Sequence, residues 1–239
     1  MHRAYHRWDS HTLGRSMELL VFGHAGAPVL VFPTSEGRFY EYEDRGMVHA
    51  LAEQIEQGWF QLYCVDSIDS ESWFCTWAHP HGRLTRHDQY ERYILDEVLP
   101  FISSQNPNPY LIAHGCSLGA SHAMLIALRY PERFNRVVSL SGYFNMRYFL
   151  DGYDHPEVYL HNPLDFIGGI QDDELVNKLR RLDIVMAIGK EDEGAWTNAE
   201  LSSQLWGKGI WHAMRWWDGW AHDWPYWRQM IPLYIGGTL

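Results

Sequence analysis

Short apolar runs alternate along this chain with longer amphipathic stretches, the pattern of a sheet covered by helices on both faces. Strands are predicted near Met17–Phe22, Pro28–Phe32, Phe60–Val65, Tyr110–Ala113, Arg136–Leu140, Asp183–Ile188 and Trp211–Trp216. Helices are predicted over Tyr42–Glu56, His87–Ser103, Leu118–Tyr130, Asp172–Arg180, Asn198–Lys208 and Trp224–Tyr234. The Gly-rich link Gly23-His24-Ala25-Gly26-Ala27 joins the first two strands in the manner of a hairpin. Every later pair of strands is separated by a helix-length segment, so most of the sheet should be parallel. In the second helix Tyr90, Tyr93, Ile94, Glu97, Val98 and Phe101 form a stripe, and Pro100 should kink or end it. The irregular stretch from Gly142 to Arg181 suits a small cap rather than a second domain. With no break in composition and no repeat, the expectation is one α/β domain over residues 1–239.

Composition narrows the partners. Hydrophobic residues make up 46% and charged residues 21%, ordinary for a globular domain of this length. The formal net charge of −11, with no Lys/Arg-rich run, argues against nucleic acid and against an anionic membrane surface. No apolar run approaches the roughly 20 residues that span a bilayer, and no apolar segment follows Met1–Trp8 as it would in a signal peptide. The three cysteines, Cys64, Cys75 and Cys116, fit reduced thiols. A cytoplasmic protein acting on a small molecule is the expectation. Composition leaves the oligomeric state open.

The chemistry is concentrated at Gly115-Cys116-Ser117-Leu118-Gly119. An apolar strand leads in and a small-residue helix leads out, so Gly-x-Ser-x-Gly lies on a strand-to-helix turn that lifts the serine above the sheet edge. A serine hydroxyl attacks only when a histidine removes its proton and a carboxylate fixes that histidine's tautomer. Partners should follow in the order acid, then base, on loops after later strands. After Gly189 come Lys190-Glu191-Asp192-Glu193-Gly194, where the short Asp192 can turn back to the sheet edge while Glu191 and Glu193 reach solvent. His222 lies between the last strand and the last helix, with Asp223 as that helix's N-cap. The oxyanion hole should combine the N–H of Leu118 with one from the loop after Phe32, foremost Ser35 and otherwise Glu36.

These residues resemble the putative-esterase branch of the α/β-hydrolase fold, which includes feruloyl esterases, S-formylglutathione hydrolases and mycolyltransferases. The resemblance rests on the serine pentapeptide and on Arg129–Phe134 leading to Val137–Gly142. It rests equally on Gly189-Lys190-Glu191-Asp192 and on His222-Asp223-Trp224-Pro225-Tyr226-Trp227. It implies a mostly parallel sheet with little or no cap, and ester or thioester cleavage through Ser117, Asp192 and His222. No metal or organic cofactor is implied. One departure is Pro33-Thr34 where the wider fold commonly begins its oxyanion loop with His-Gly.

Twelve tryptophans, six of them between Trp211 and Trp227, suit either core packing with an aromatic wall or a substrate platform, and position decides between them. Trp224 beside the base, Trp73 after the third strand and Tyr143 after Ser141-Gly142 are the candidate substrate contacts. Asp66 reads as a turn cap. His79, His81 and His87 have no cysteine or carboxylate at ligand spacing and read as loop residues, so no metal site is expected. Two other functions use the same features: acyltransfer to a bound alcohol or amine, and a non-catalytic scaffold that binds through its tryptophan-rich edge.

Overall fold

A computed structural model describes residues 1–236. Its centre is one eight-stranded sheet: β1 (Arg3–Ser10), β2 (Arg15–Phe22), β3 (Ala27–Phe32), β4 (Phe60–Val65), β5 (Ile112–Cys116), β6 (Arg136–Leu140), β7 (Asp183–Gly189) and β8 (Ala213–Trp217). Their spatial order is β1-β2-β4-β3-β5-β6-β7-β8. The first two contacts, β1 with β2 and β2 with β4, are antiparallel, and all the others are parallel. β3 to β7 are buried along nearly their whole length, which is why they read as unbroken apolar runs.

Two sequence expectations fail at the N-terminal edge. β2 and β3 are not hairpin partners, because β4 lies between them. Gly26, at φ +95°, passes directly against the turn entering β4, where a side chain would collide with the Trp59 backbone at 2.2 Å. The glycines thus serve a close crossing rather than a hairpin turn. The true hairpin is β1–β2, whose first strand the pattern did not reveal: along it exposed and half-buried residues alternate, and no apolar run results.

The predicted helix Tyr42–Glu56 is three separate turns, α1 (Glu41–Asp44), α2 (Met47–Ala50) and α3 (Ala52–Glu56), broken first at Gly46 with φ +75°. The second helix begins earlier than predicted, as α4 (Pro80–Tyr93), and continues past the proline into α5 (Leu99–Gln105). Pro100 neither ends nor sharply interrupts it; a π-helical turn, Ile94–Val98, absorbs the missing N–H. α6 (Leu118–Arg129) is buried from Leu118 to Leu128, as befits a helix packed beneath the cap segment. That segment holds two short 3₁₀ turns, Met146–Leu150 and Pro156–His161, then α7 (Pro163–Gly169) and α8 (Asp173–Leu179). α9 (Ala195–Gly207) and α10 (Trp224–Tyr234) complete the layers. Apolar side chains pack on both faces of the sheet. No helix among the described residues is long and apolar enough to cross a membrane. Cys64, Cys75 and Cys116 are buried free thiols.

Candidate active site

The site lies at the C-terminal edge of the parallel strands. Ser117 occupies the turn between β5 and α6 with φ 55° and ψ −125°, a strained conformation for a residue with a side chain. Its N–H donates to the Leu140 carbonyl at 2.9 Å, which ties the turn to β6. The two flanking glycines are sterically required. A Cβ on Gly115 would lie 2.2 Å from the Gly119 carbonyl carbon, and one on Gly119 would lie 2.3 Å from the Pro33 carbonyl oxygen. The second contact shows that the loop after β3 backs directly onto the first turn of α6.

Three residues far apart in sequence meet here. His222 Nε2 is 3.0 Å from Ser117 Oγ, and His222 Nδ1 is 2.7 Å from Asp192 Oδ2. Of the three carboxylates after β7, Asp192 is buried while Glu191 and Glu193 are exposed. The other Asp192 oxygen accepts the Gly194 N–H at 2.8 Å, so the carboxylate is held from both sides. His222 follows a tight loop with Gly219 at φ 74° and Ala221 at φ 45°. The Ala221 carbonyl accepts from the Ser141 hydroxyl at 3.3 Å, which in turn accepts the Trp227 indole N–H at 3.0 Å. Trp220 stacks on the imidazole from one side, at 5.5 Å and 25°, and the Trp227 edge meets it from another. Asp223 caps α10 by accepting the Trp224 N–H.

The loop after β3 separates its amides clearly. Thr34 N–H goes to Glu41, Gly37 N–H to the Thr34 carbonyl, and Glu36 N–H to Asp69 Oδ2 at 3.1 Å. Ser35 N–H has no protein acceptor among the described residues, and neither does Leu118 N–H at the first position of α6. Glu36, the alternative oxyanion donor, is therefore already engaged.

A cavity of about 360 Å³ opens beside His222, lined by Tyr143, Tyr148, Phe149, Glu193, Trp220 and neighbouring backbone. Of the expected substrate contacts, Tyr143 lines this cavity. Trp73 and Trp224 do not line this cavity. Trp73 is buried against His87 at 4.8 Å and against Phe149, and Trp224 packs edge-on to Trp227 with Arg45 over its face. Trp220, Tyr148 and Phe149 were missed. Trp220 stands two residues before His222 and was legible by that proximity, whereas Tyr148 and Phe149 come from the cap segment and carry no motif. A larger cavity, about 890 Å³, lies at the opposite end of the sheet near Trp59 and Trp211, away from all these groups.

The three histidines weighed as ligands diverge. His79 accepts the His81 N–H at the start of α4, His81 pairs with Glu157, and His87 is buried beneath the cap segment. Asp66 accepts from the Arg38 side chain and the Phe39 N–H, in keeping with a structural role.

The sequence model of the Putative esterase family matches residues 64–233. The chain belongs to that family. It is an esterase, with a fold shared by many solved structures. No curated protein sequence matches this esterase. A ferulic acid esterase superposes with a TM-score of 0.78 at 16% identity, covering 98% of this chain and 95% of its own. An S-formylglutathione hydrolase from Agrobacterium tumefaciens superposes at 0.76 with 15% identity, covering 98% and 92%. The S-formylglutathione hydrolase FrmB from Staphylococcus aureus gives 0.71 at 17% identity, covering 98% and 95%. At such identities the likeness establishes the α/β-hydrolase fold of this esterase and leaves its substrate to the site itself.

Proposed function

We propose that this esterase cleaves carboxylic esters or thioesters through an acyl-enzyme on Ser117. The observation that carries the reading is the continuous relay Ser117–His222–Asp192, with contacts of 3.0 and 2.7 Å, at the mouth of an open cavity. His222 Nδ1–H donates to Asp192, which leaves Nε2 bare to take the Ser117 proton as Oγ attacks the carbonyl carbon. The tetrahedral oxyanion is received by the N–H groups of Leu118 and Ser35. His222 then gives its proton to the departing alcohol or thiol as the carbon–heteroatom bond breaks. A water molecule repeats the sequence, its proton going to His222, and releases the acid and free Ser117. Tyr143, Tyr148, Phe149 and Trp220 supply an apolar wall for the organic groups on either side of the ester.

Labelling with a fluorophosphonate probe followed by peptide mass spectrometry tests this. The expected adduct is on Ser117 and disappears in His222→Ala. A folded protein that takes no label at Ser117 overturns the proposal. Acyl products formed with added alcohols in preference to water would redirect it to acyltransfer.

A further inference from the structure

Beneath the cap segment runs a second chain of titratable groups that the reaction above does not use. Asp69 Oδ1 is 3.0 Å from His122 Nε2, and His122 Nδ1 is 3.3 Å from His87 Nε2. His87 Nδ1 is 3.0 Å from His161 Nδ1, and His161 Nε2 faces Asp88 at 3.6 Å. Asp69 and all three rings are buried. His122 stacks on Phe32, the last residue of β3, and on His87. Burial holds His87 and His161 in the neutral form, pushing His161 down to about 4 and His87 well below the ordinary value.

For three neutral rings beside an ionised Asp69 the contacts admit one assignment of protons. An ionised carboxylate has no hydrogen to give, so His122 Nε2–H donates to Asp69. His122 Nδ1 must then accept from His87 Nε2–H, and His87 Nδ1 from His161 Nδ1–H. Every bond in the chain points toward Asp69. The other Asp69 oxygen accepts Glu36 N–H, where Glu36 is held at φ 54°. On the near side of the same loop, Glu41 accepts both the N–H and the hydroxyl of Thr34, at 2.9 and 2.8 Å. Two carboxylates thus bracket Ser35, one on the residue before it and one on the residue after.

We propose that Asp69 is a positioning residue for the oxyanion loop: it clamps Glu36, with Glu41 clamping Thr34, so that the Ser35 N–H stays aimed at the reacting carbonyl. The His122–His87–His161 chain fixes the carboxylate that does the clamping. The inference rests on Ser35 as an oxyanion donor in the reaction proposed above. Without the clamp the peptide between Thr34 and Ser35 is held only by the Gly37 N–H on its carbonyl, and its own N–H can turn away.

The test is hydrolysis of p-nitrophenyl acetate by wild type, Asp69→Ala, Asp69→Asn and Glu41→Ala. Asp69→Ala should lower kcat about tenfold or more with KM little changed, since loss of a whole oxyanion donor costs on the order of 100- to 1000-fold. Glu41→Ala, at a half-buried surface position, should move kcat in the same direction, and it carries the test if Asp69→Ala is recovered unfolded. Asp69→Asn should restore most of the rate. Its carbonyl keeps Glu36, while its NH₂ donates to His122 and reverses every bond, leaving His161 with a hydrogen on Nε2 facing Asp88. Imidazole NMR of histidine-labelled protein reads that reversal directly, and a purely structural role for Asp69 would give no matching recovery of kcat. Unchanged kcat in both Asp69→Ala and Glu41→Ala, or Asp69→Asn as slow as Asp69→Ala, overturns the proposal. Ser117→Ala run alongside separates the two readings. If it retains wild-type turnover the reaction itself is wrong, whereas an inactive Ser117→Ala beside fully active loop variants overturns only the clamp.

Discussion

The molecule contains two carboxylate–histidine chains, and they differ chiefly in what lies at the far end. In one, Asp192 orients His222, whose other nitrogen meets a serine hydroxyl at a cavity mouth; the imidazole side chain is 26% exposed. In the other, Asp69 orients His122, whose other nitrogen meets a second buried imidazole; its side chain is 4% exposed. The carboxylates are equally buried, at 3% and 1%. Chemistry at the donor set is therefore shared, and access decides its use. An imidazole that can reach a ligand moves protons during a reaction, while a sealed one serves as a fixed hydrogen-bonding strut.

The open chain should therefore break at little cost to the fold. Ser117→Ala should lower kcat about a million-fold, the scale of losing a nucleophile from such a relay, with the thermal midpoint essentially unmoved. Steady-state assay and a melting curve on the same preparation check both halves. Asp192→Asn is expected next, at about ten-thousand-fold in kcat. The amide oxygen keeps the Gly194 N–H, so the NH₂ faces His222 and forces the hydrogen onto Nε2, where it blocks proton transfer from Ser117.

The sealed chain should respond the other way. His87→Leu strands the facing nitrogens of His122 and His161, and stability should fall by about 2 kcal/mol on urea unfolding. Acid sharpens the same difference. His161 and His114 titrate at about 4 and His87 well below its ordinary value of 6.5, all through burial. Asp88 and Glu157 oppose the shift at His161, and Arg129 reinforces it. Between about 6.5 and 4 the unfolded chain therefore binds more protons at these positions, and stability must drop as pH falls through that window. Glu91, pushed up to about 7 by burial despite its ion pair with Arg129, and Asp66, raised by burial, act in the opposite sense, but these two carboxyls are set against four imidazoles, since burial lowers His212 as well. The urea midpoint should be lower at pH 4.5 than at pH 7, and His87→Leu should reduce that gap. An unchanged midpoint would mean that the rings are not held neutral.

The smallest effect belongs to the cavity wall. Trp220→Ala removes the face stacked on His222 and should raise KM by about threefold to tenfold, in line with the roughly 0.5–1.5 kcal/mol of an exposed aromatic contact. Stability should hardly change, because the ring is half-exposed.

Much of the open chain was readable in sequence. The pentapeptide around Ser117 lies between an apolar run and a small-residue helix, and Ser117, Asp192 and His222 follow in that order on loops after the parallel strands β5, β7 and β8. The sealed chain left no such trace. His87 lies in α4, His122 in α6 and His161 in the cap segment, with no common spacing, and the polar stretch around His79 and His81 suggested an exposed loop. The failed hairpin between β2 and β3 has the same origin, since Gly23 to Ala27 reads as a hairpin turn until β4 is seen to occupy the gap.

Local signals determined what is governed by local physics: the apolar strands, the strand-to-helix turn that only flanking glycines permit, the capped start of α10, and the family to which these motifs belong. Tertiary structure alone decided that β4 lies between β2 and β3, that His122, His87 and His161 line up behind Asp69, and which aromatics face the cavity. Those outcomes depend on distances between segments tens of residues apart, and side-chain identity carries no record of distance. The same imidazole–carboxylate pair was written twice in the chain, and only packing assigned one copy to the cavity and the other to the interior.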